Sequence, residues 1–128
     1  MPRIFTIDEA NALLPRLRDI LAELQEKKPA FDRLQPEMED MAKSAAGNGH
    51  LQHPEVQEKR RVAESLARRL EELVAELRGM GCELKGLSLI DFPAEREGRA
   101  IYLCWRLGEE TIGHWHEQDT GFGGRQPL

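Results

Sequence analysis

The sequence predicts an α+β fold: a long antiparallel helical hairpin followed by a three-stranded antiparallel β-meander packed against it. Two observations lead to this prediction. Through most of the first 78 residues, apolar side chains recur at intervals of three and four, which is typical of helices that pack along their length. From residue 84 onward, apolar and polar residues alternate instead, which is typical of strands with one buried face.

Length and composition set the organisation of the chain. A chain of 128 residues is the size of a single domain. We expect the helical hairpin to occupy residues 6–78, the sheet residues 84–118, and an irregular, glycine-rich tail residues 119–128. The formal net charge of −5 supplies no basic surface for nucleic-acid phosphates.

The compartment follows from two further features. The sequence has neither the apolar core of a signal peptide nor a run of 18 apolar residues that could cross a membrane. Without a secretory signal, Cys82 and Cys104 are expected to be reduced thiols. We therefore expect a cytoplasmic protein that binds neither nucleic acid nor membrane.

The first helix is predicted to begin at a capping box formed by Thr6 and Glu9. Three prolines, Pro15, Pro29 and Pro36, fall inside the predicted helix, and each costs about 3 kcal/mol in a helix interior. Because the apolar spacing continues past all three, we expect one long kinked helix. The apolar positions are Ala10, Leu13, Leu17, Ile20, Leu24, Phe31, Leu34, Met38, Met41 and Ala45.

A loop over residues 44–50 is predicted from Gly47, Asn48 and Gly49, which readily adopt the backbone angles of a helix end. The nearby His50 and His53 are expected to be exposed loop residues. A second helix is predicted over residues 54–78, antiparallel to the first because the connection is short. The first helix is longer, so its overhanging apolar stripe predicts a homodimer that forms through the helices.

Three strands are predicted after the helices. The first is Leu87–Phe92, ended by Pro93 because proline cannot donate a ladder hydrogen bond. The second is Arg99–Leu107, and the third is Glu110–Glu117, joined to the second by a hairpin turn over residues 107–110.

The strongest candidate for a site is the pair His114 and His116, which would lie on one face of the third strand about 7 Å apart. Two imidazoles in this arrangement are a common half-site for a divalent metal such as Zn²⁺ or Fe²⁺. The register of the hairpin decides what faces them. A two-residue turn would place apolar residues opposite the histidines, whereas a three-residue turn would place Cys104 opposite His114 and Tyr102 opposite His116.

Asp91 is the third candidate metal ligand, with His114 and His116. It is the only acid in an otherwise apolar strand, and burying it would be costly without a cation or hydrogen-bond donors. A structural, hydrogen-bonded histidine pair and a small-molecule site without metal are the competing interpretations. The second choices for ligand binding are Cys104, Tyr102, Glu117 and Arg125.

Several short motifs also resemble those of a known family. They are the stretch from Phe5-Thr6 through Leu14-Pro15, then Asp91-Phe92-Pro93-Ala94, Leu103-Cys104-Trp105, Gly108-Glu109, Trp115-His116 and Gly124-Arg125. In this combination, which spans essentially the whole chain, the sequence resembles a small bacterial family known as domain of unknown function 2203. The resemblance implies a bacterial, cytoplasmic protein with no assigned activity, and it supplies no catalytic or binding residues.

Three functional hypotheses follow. The leading one is a non-catalytic ligand- or metal-binding module that dimerises through its helices. The first alternative is a small metal-dependent hydrolase, in which Asp91 and the histidines hold a metal-bound water and Glu117 acts as base. The second alternative is a helical scaffold or adaptor with no small-molecule site, whose histidines serve only packing.

Overall fold

The structure is a computed structural model that describes residues 3–46 and 54–128, without the side chains of residues 41, 42 and 44–46. The helices are α1 (Ile7–Ala46) and α2 (Pro54–Gly79). The strands are β1 (Glu83–Lys85), β2 (Leu89–Arg96), β3 (Arg99–Arg106), β4 (His114–Glu117) and β5 (Gln126–Pro127), with a 3₁₀ helix at Phe122–Gly124.

The α+β class and the antiparallel sheet are confirmed, but the sheet has five strands in the order β1-β2-β3-β4-β5 instead of three. The predicted loop over residues 44–50 lies mostly outside the described residues, as do His50 and His53. Its first three positions are helical, because α1 continues to Ala46. Within the described ranges, no helix is both long and apolar enough to span a membrane.

The N-terminus of α1 forms the predicted capping box. The backbone N–H of Glu9 donates to the Thr6 hydroxyl (3.1 Å), and the Thr6 N–H donates to the Glu9 carboxylate (2.9 Å). These bonds lower the pKa of Glu9. The helix then continues without a break past Pro15, Pro29 and Pro36, all of which are exposed. A single first helix is therefore confirmed, with each proline on a side of the helix that faces solvent.

By contacts, the chain divides into two compact units, Met1–Ala22 with Val74–Leu128, and Glu23–Leu73. A single domain remains a prediction. In the first unit, α1 is tied to the loop between β3 and β4. The Asn11 side chain accepts the N–H of Ile112 (2.8 Å), and Arg18 donates to the carbonyl of Glu110 (2.6 Å). The buried apolar residues of this part of α1 are Ala10, Leu14, Leu17, Ile20 and Leu21.

In the second unit, two ion pairs join α1 to α2. Glu23 pairs with Arg69 (2.8 Å), and Glu37 pairs with Lys59 (3.0 Å). Glu37 lies later in α1 than Glu23, whereas its partner Lys59 lies earlier in α2 than Arg69, so the two helices are antiparallel, as predicted. The pairing lowers the pKa of Glu23 to about 2, chiefly through the hydrogen bonds from Arg69.

This pKa predicts an acid-dependent loss of stability. Because the Glu23 carboxylate binds its proton more weakly in the folded chain, its stabilising contribution is complete above about pH 4.5 and is lost as the pH falls toward 2. We expect Glu23→Gln to flatten the dependence of the free energy of unfolding on pH across that window. Urea titrations at several pH values would measure it, with Glu26→Gln as control. Equal slopes in the wild type and Glu23→Gln would contradict the prediction.

Strand β2 is longer than predicted and runs through Pro93 to Arg96, so the expectation that Pro93 ends the strand is wrong. Pro93 pairs with Tyr102 of β3. On the other side of β2, the Pro93 carbonyl accepts the N–H of Phe5 (2.7 Å). In a strand, the nitrogen and carbonyl of one residue point to the same side, so the proline nitrogen faces away from β3. The ladder between β2 and β3 therefore loses no hydrogen bond.

The third predicted strand, Glu110–Glu117, is also wrong in its first half. Strand β4 begins at His114, and residues 107–113 form a loop. Side chains outside the loop bind its backbone groups in place of a strand partner. The Trp105 indole N–H donates to the carbonyl of Glu109 (2.9 Å), and Asn11 accepts from Ile112. The tail over 119–128 is less irregular than predicted, because it contains the 3₁₀ helix and β5.

The turn between β2 and β3 has only two residues, Glu97 (φ 52°) and Gly98 (φ 77°). Two positive φ angles are typical of a type I′ turn, which favours asparagine then glycine. We expect Glu97→Asn to raise the free energy of unfolding by about 0.5–1 kcal/mol and Gly98→Ala to lower it by about 1 kcal/mol. Chemical denaturation would measure both. A loss of stability in Glu97→Asn would contradict this account of the turn.

Candidate metal centre

The register of the sheet places four chemically active side chains in one row. Glu83 pairs with Asp91, Asp91 pairs with Cys104, and Cys104 pairs with His114. Directly paired residues of an antiparallel sheet point to the same face, so these side chains lie side by side across β1 to β4. Tyr102 pairs with His116 in the next row. The sequence left two registers open, and this is the one that places Cys104 and Tyr102 opposite the histidines. The connection between the two strands is a seven-residue loop instead of the three-residue turn expected for this register.

Three of these side chains converge. The ligand atoms of Asp91, Cys104 and His116 all lie within 4.8 Å of one another. The residues are 4%, 1% and 2% exposed, so the cluster is buried. The Nε2 atom of His116 lies 3.0 Å from Oδ1 of Asp91. Burial of a carboxylate is unfavourable without a positive or proton-donating partner, so the pair needs a proton or a cation between its two atoms.

The other ring nitrogen of His116 identifies where its proton lies. Nδ1 is 2.6 Å from the backbone carbonyl of Glu117. A carbonyl oxygen can only accept, so Nδ1 carries a proton and donates it. Nε2 then has two alternatives: it shares a proton with Asp91, or its lone pair and the carboxylate are both ligands of a metal ion. Metal-binding histidines commonly donate their second N–H to a backbone carbonyl in this way.

Cys104 completes the cluster as a thiol. Burial, reinforced by the nearby Asp91 carboxylate, raises the pKa of Cys104 to about 12. A thiol with this pKa is protonated at neutral pH and is a poor nucleophile. A soft divalent metal would displace that proton, because thiolates are strong zinc ligands.

A cavity of about 240 Å³ opens from the cluster. Tyr102 lies at its wall, with its ring centroid 5.5 Å from that of His116. A hydrogen bond to Glu83, with a smaller effect of burial, raises the pKa of Tyr102 to about 12, so its hydroxyl remains neutral. The cavity is lined by Lys85, Leu89, Asp91, Tyr102, Cys104, His116, Gln118, Gly121 and Phe122.

His114, one of the three predicted metal ligands, lies outside this cluster. The Nη2 atom of Arg125 lies within hydrogen-bond distance of Nδ1 of His114 (3.1 Å), both oxygens of Glu109 (2.8 and 2.9 Å) and the Cys104 carbonyl (3.3 Å), and its two hydrogens are shared among these acceptors. Burial alone would raise the pKa of Glu109, but the bonds from the Arg106 N–H and Arg125 outweigh it, and the pKa is lowered. Arg125 thus fastens the segment after β4 to the sheet.

The remaining candidate, Glu117, faces away from the cluster. It pairs with Ile101, whose side chain lies in the core, and its carboxylate forms an ion pair with Arg99 (2.9 Å). Only the backbone carbonyl of Glu117 touches the cluster, through the hydrogen bond that it accepts from His116. Glu117 therefore has no contact with the cluster through which it could act as the base of the hydrolase hypothesis.

Sequence reasoning placed Asp91 and His116 in the first rank and Cys104 and Tyr102 in the second, and the structure brings these four together. Glu83, Lys85 and Phe122 were not among the predicted site residues. Glu83 and Lys85 lie on β1, a three-residue strand that is too short for a clear alternating pattern. Phe122 sits between glycines in a segment with no periodic signal.

Comparisons with known proteins add a family but no activity. No curated protein and no solved structure matches the chain. A family model described as "Uncharacterized conserved protein (DUF2203)" matches residues 3–128. The match covers essentially the whole chain, including both helices and all five strands, and the chain therefore belongs to the DUF2203 family.

Proposed function

We propose that this chain is a metal-binding module that holds one zinc ion through Asp91, Cys104 and His116. The observation that carries the proposal is the buried convergence of a carboxylate, a thiol and an imidazole within 4.8 Å. The atoms bound to one zinc ion lie about 3–4 Å from each other. Shifts of about 1 Å in these side chains would therefore bring all three ligand atoms to bonding distance of one ion.

The surroundings support the same proposal. His116 donates Nδ1–H to the Glu117 carbonyl, which leaves the lone pair of Nε2 directed at Asp91. A sulfur, a nitrogen and an oxygen ligand together favour zinc over the hard cations magnesium and calcium. Three protein ligands also leave a fourth position open, which in zinc proteins is the arrangement that admits water or another molecule.

Elemental analysis of tag-free protein after zinc loading and exhaustive dialysis tests the proposal. We expect close to one zinc per chain in the wild type and a strong loss in Cys104→Ser and His116→Ala. His114→Ala is the matched control, because this histidine lies on the same face of β4 but bonds to Arg125. Circular dichroism would verify that each variant is folded. Folded wild-type protein without zinc would overturn the proposal in favour of a proton shared by Asp91 and His116.

We also propose that the chain forms a homodimer through the helices of the second unit. In support, Phe31, Leu34 and Met38 of the predicted apolar stripe are only half-buried in the single chain, and Val62 of α2 is 41% exposed. A second copy would cover this stripe. Light scattering after size-exclusion chromatography should give twice the chain mass, and Leu34→Glu should give the single mass. A monomeric wild type at micromolar concentration would contradict this proposal.

A further inference from the structure

We infer that the cavity above the metal-binding cluster takes a small organic carboxylate, whose oxygen becomes the fourth ligand of the metal. This inference rests on the proposed function, since it assigns a ligand to the open position of the same ion. It is carried by three properties of the cavity: which ligands border it, which charges it presents, and the size and polarity of its walls.

The cavity is the space into which the open coordination position faces. Asp91, Cys104 and His116 project from one face of the sheet, and all three border the cavity. The opposite face of the sheet is filled by the core residues Phe92, Leu103 and Trp105, which are at most 3% exposed. A fourth ligand therefore reaches the ion through the cavity.

The charges favour a monoanion. A zinc ion with the Asp91 carboxylate and the Cys104 thiolate is electrically neutral, so it accepts an anionic oxygen without an excess of negative charge. Lys85 lines the same cavity and is half-exposed. One of its three ammonium protons is directed to Glu83 (3.3 Å), which leaves two for an incoming carboxylate.

The walls favour an organic molecule. Leu89 and Phe122 supply apolar surface beside the polar groups, and the Arg125 guanidinium lies 4.8 Å from the centroid of the Phe122 ring. A volume of about 240 Å³ equals that of roughly eight water molecules. An aromatic or short aliphatic acid of about the size of benzoate fits this space, with its carboxylate toward the metal and Lys85.

Visible spectroscopy of the Co²⁺-loaded full chain tests the inference, with benzoate as the probe. We expect benzoate to bind saturably and to change the cobalt absorption bands, because it enters the coordination sphere. Benzamide, which has nearly the same shape without the negative charge, and the cation benzylamine should bind at least tenfold more weakly. Lys85→Met should weaken benzoate about tenfold. Arg106→Met, which removes a cation from the same face outside the cavity, should leave it unchanged.

Each other result has a distinct meaning. If cobalt loads but benzoate leaves its spectrum unchanged, or binds equally well without metal, the carboxylate inference is wrong and the metal proposal stands. If inorganic phosphate changes the spectrum as strongly as benzoate at equal concentration, the apolar walls play no part and the organic ligand is wrong. If neither cobalt nor zinc loads onto folded protein, the proposed function itself fails.

Discussion

Replacing Trp105 with alanine is expected to lower the free energy of unfolding by about 3–5 kcal/mol. The side chain is fully buried in the core face of the sheet, and its indole N–H donates to the Glu109 carbonyl (2.9 Å). Truncation would leave a large cavity and a carbonyl without its donor. Because Glu109 also binds Arg125, the loss would extend to the loop between β3 and β4.

Urea denaturation followed by circular dichroism would measure the effect of Trp105→Ala. Trp105→Phe is the informative control, since it keeps most of the apolar volume and removes only the hydrogen bond. We expect it to cost about 1–3 kcal/mol. A loss below about 1 kcal/mol in Trp105→Ala would show that the tryptophan does not hold the loop against the core.

Replacing Asp91 with alanine in metal-free protein is expected to cost about 3–5 kcal/mol. The change leaves the His116 imidazole, itself 2% exposed, without the carboxylate that lies 3.0 Å from Nε2. It also removes the carboxylate that hydrogen-bonds to the Cys104 thiol and, together with burial, raises its pKa. Breaking a buried pair is costly because the remaining polar group loses its partner.

A double-mutant cycle with His116→Leu separates this pair from general packing. If the two side chains interact as described, the double variant will be more stable than the sum of the single losses predicts, by about 1–3 kcal/mol. The more exposed pair of Arg99 and Glu117 is the matched control, for which we expect a coupling of at most about 1 kcal/mol. Additive losses for Asp91 and His116 would contradict the interaction.

The helices were predictable because their signals are local. The capping box of Thr6 and Glu9 is three residues long, and the apolar spacing repeats within each turn of helix. One departure is instructive: Leu14 and Leu21, outside the predicted stripe, are buried, whereas Leu13 within it is only half-buried. This part of α1 belongs to the unit that contains the sheet, so it needs a broader apolar surface than a helical hairpin alone would require.

The sheet and the site depend on contacts that are distant in the sequence. Strands β1 and β5 have three and two residues, too few for a periodic pattern. The register between β3 and β4 depends on a loop whose backbone is held by Asn11, about 100 residues away in the chain. His114 and His116 look equivalent in the sequence, but Arg125 binds the first and Asp91 the second. Only the folded chain distinguishes them.

The position of Pro93 has a consequence for association between chains. Strand β2 pairs with β1 only over residues 89–91, so the rest of its outer side has no neighbouring strand within the described sheet. Such an edge invites a strand from another molecule. Here Pro93 offers no N–H, its carbonyl is already bonded to Phe5, and the charged Glu95 and Arg96 follow. We therefore expect this stretch to protect the folded chain against edge-to-edge aggregation.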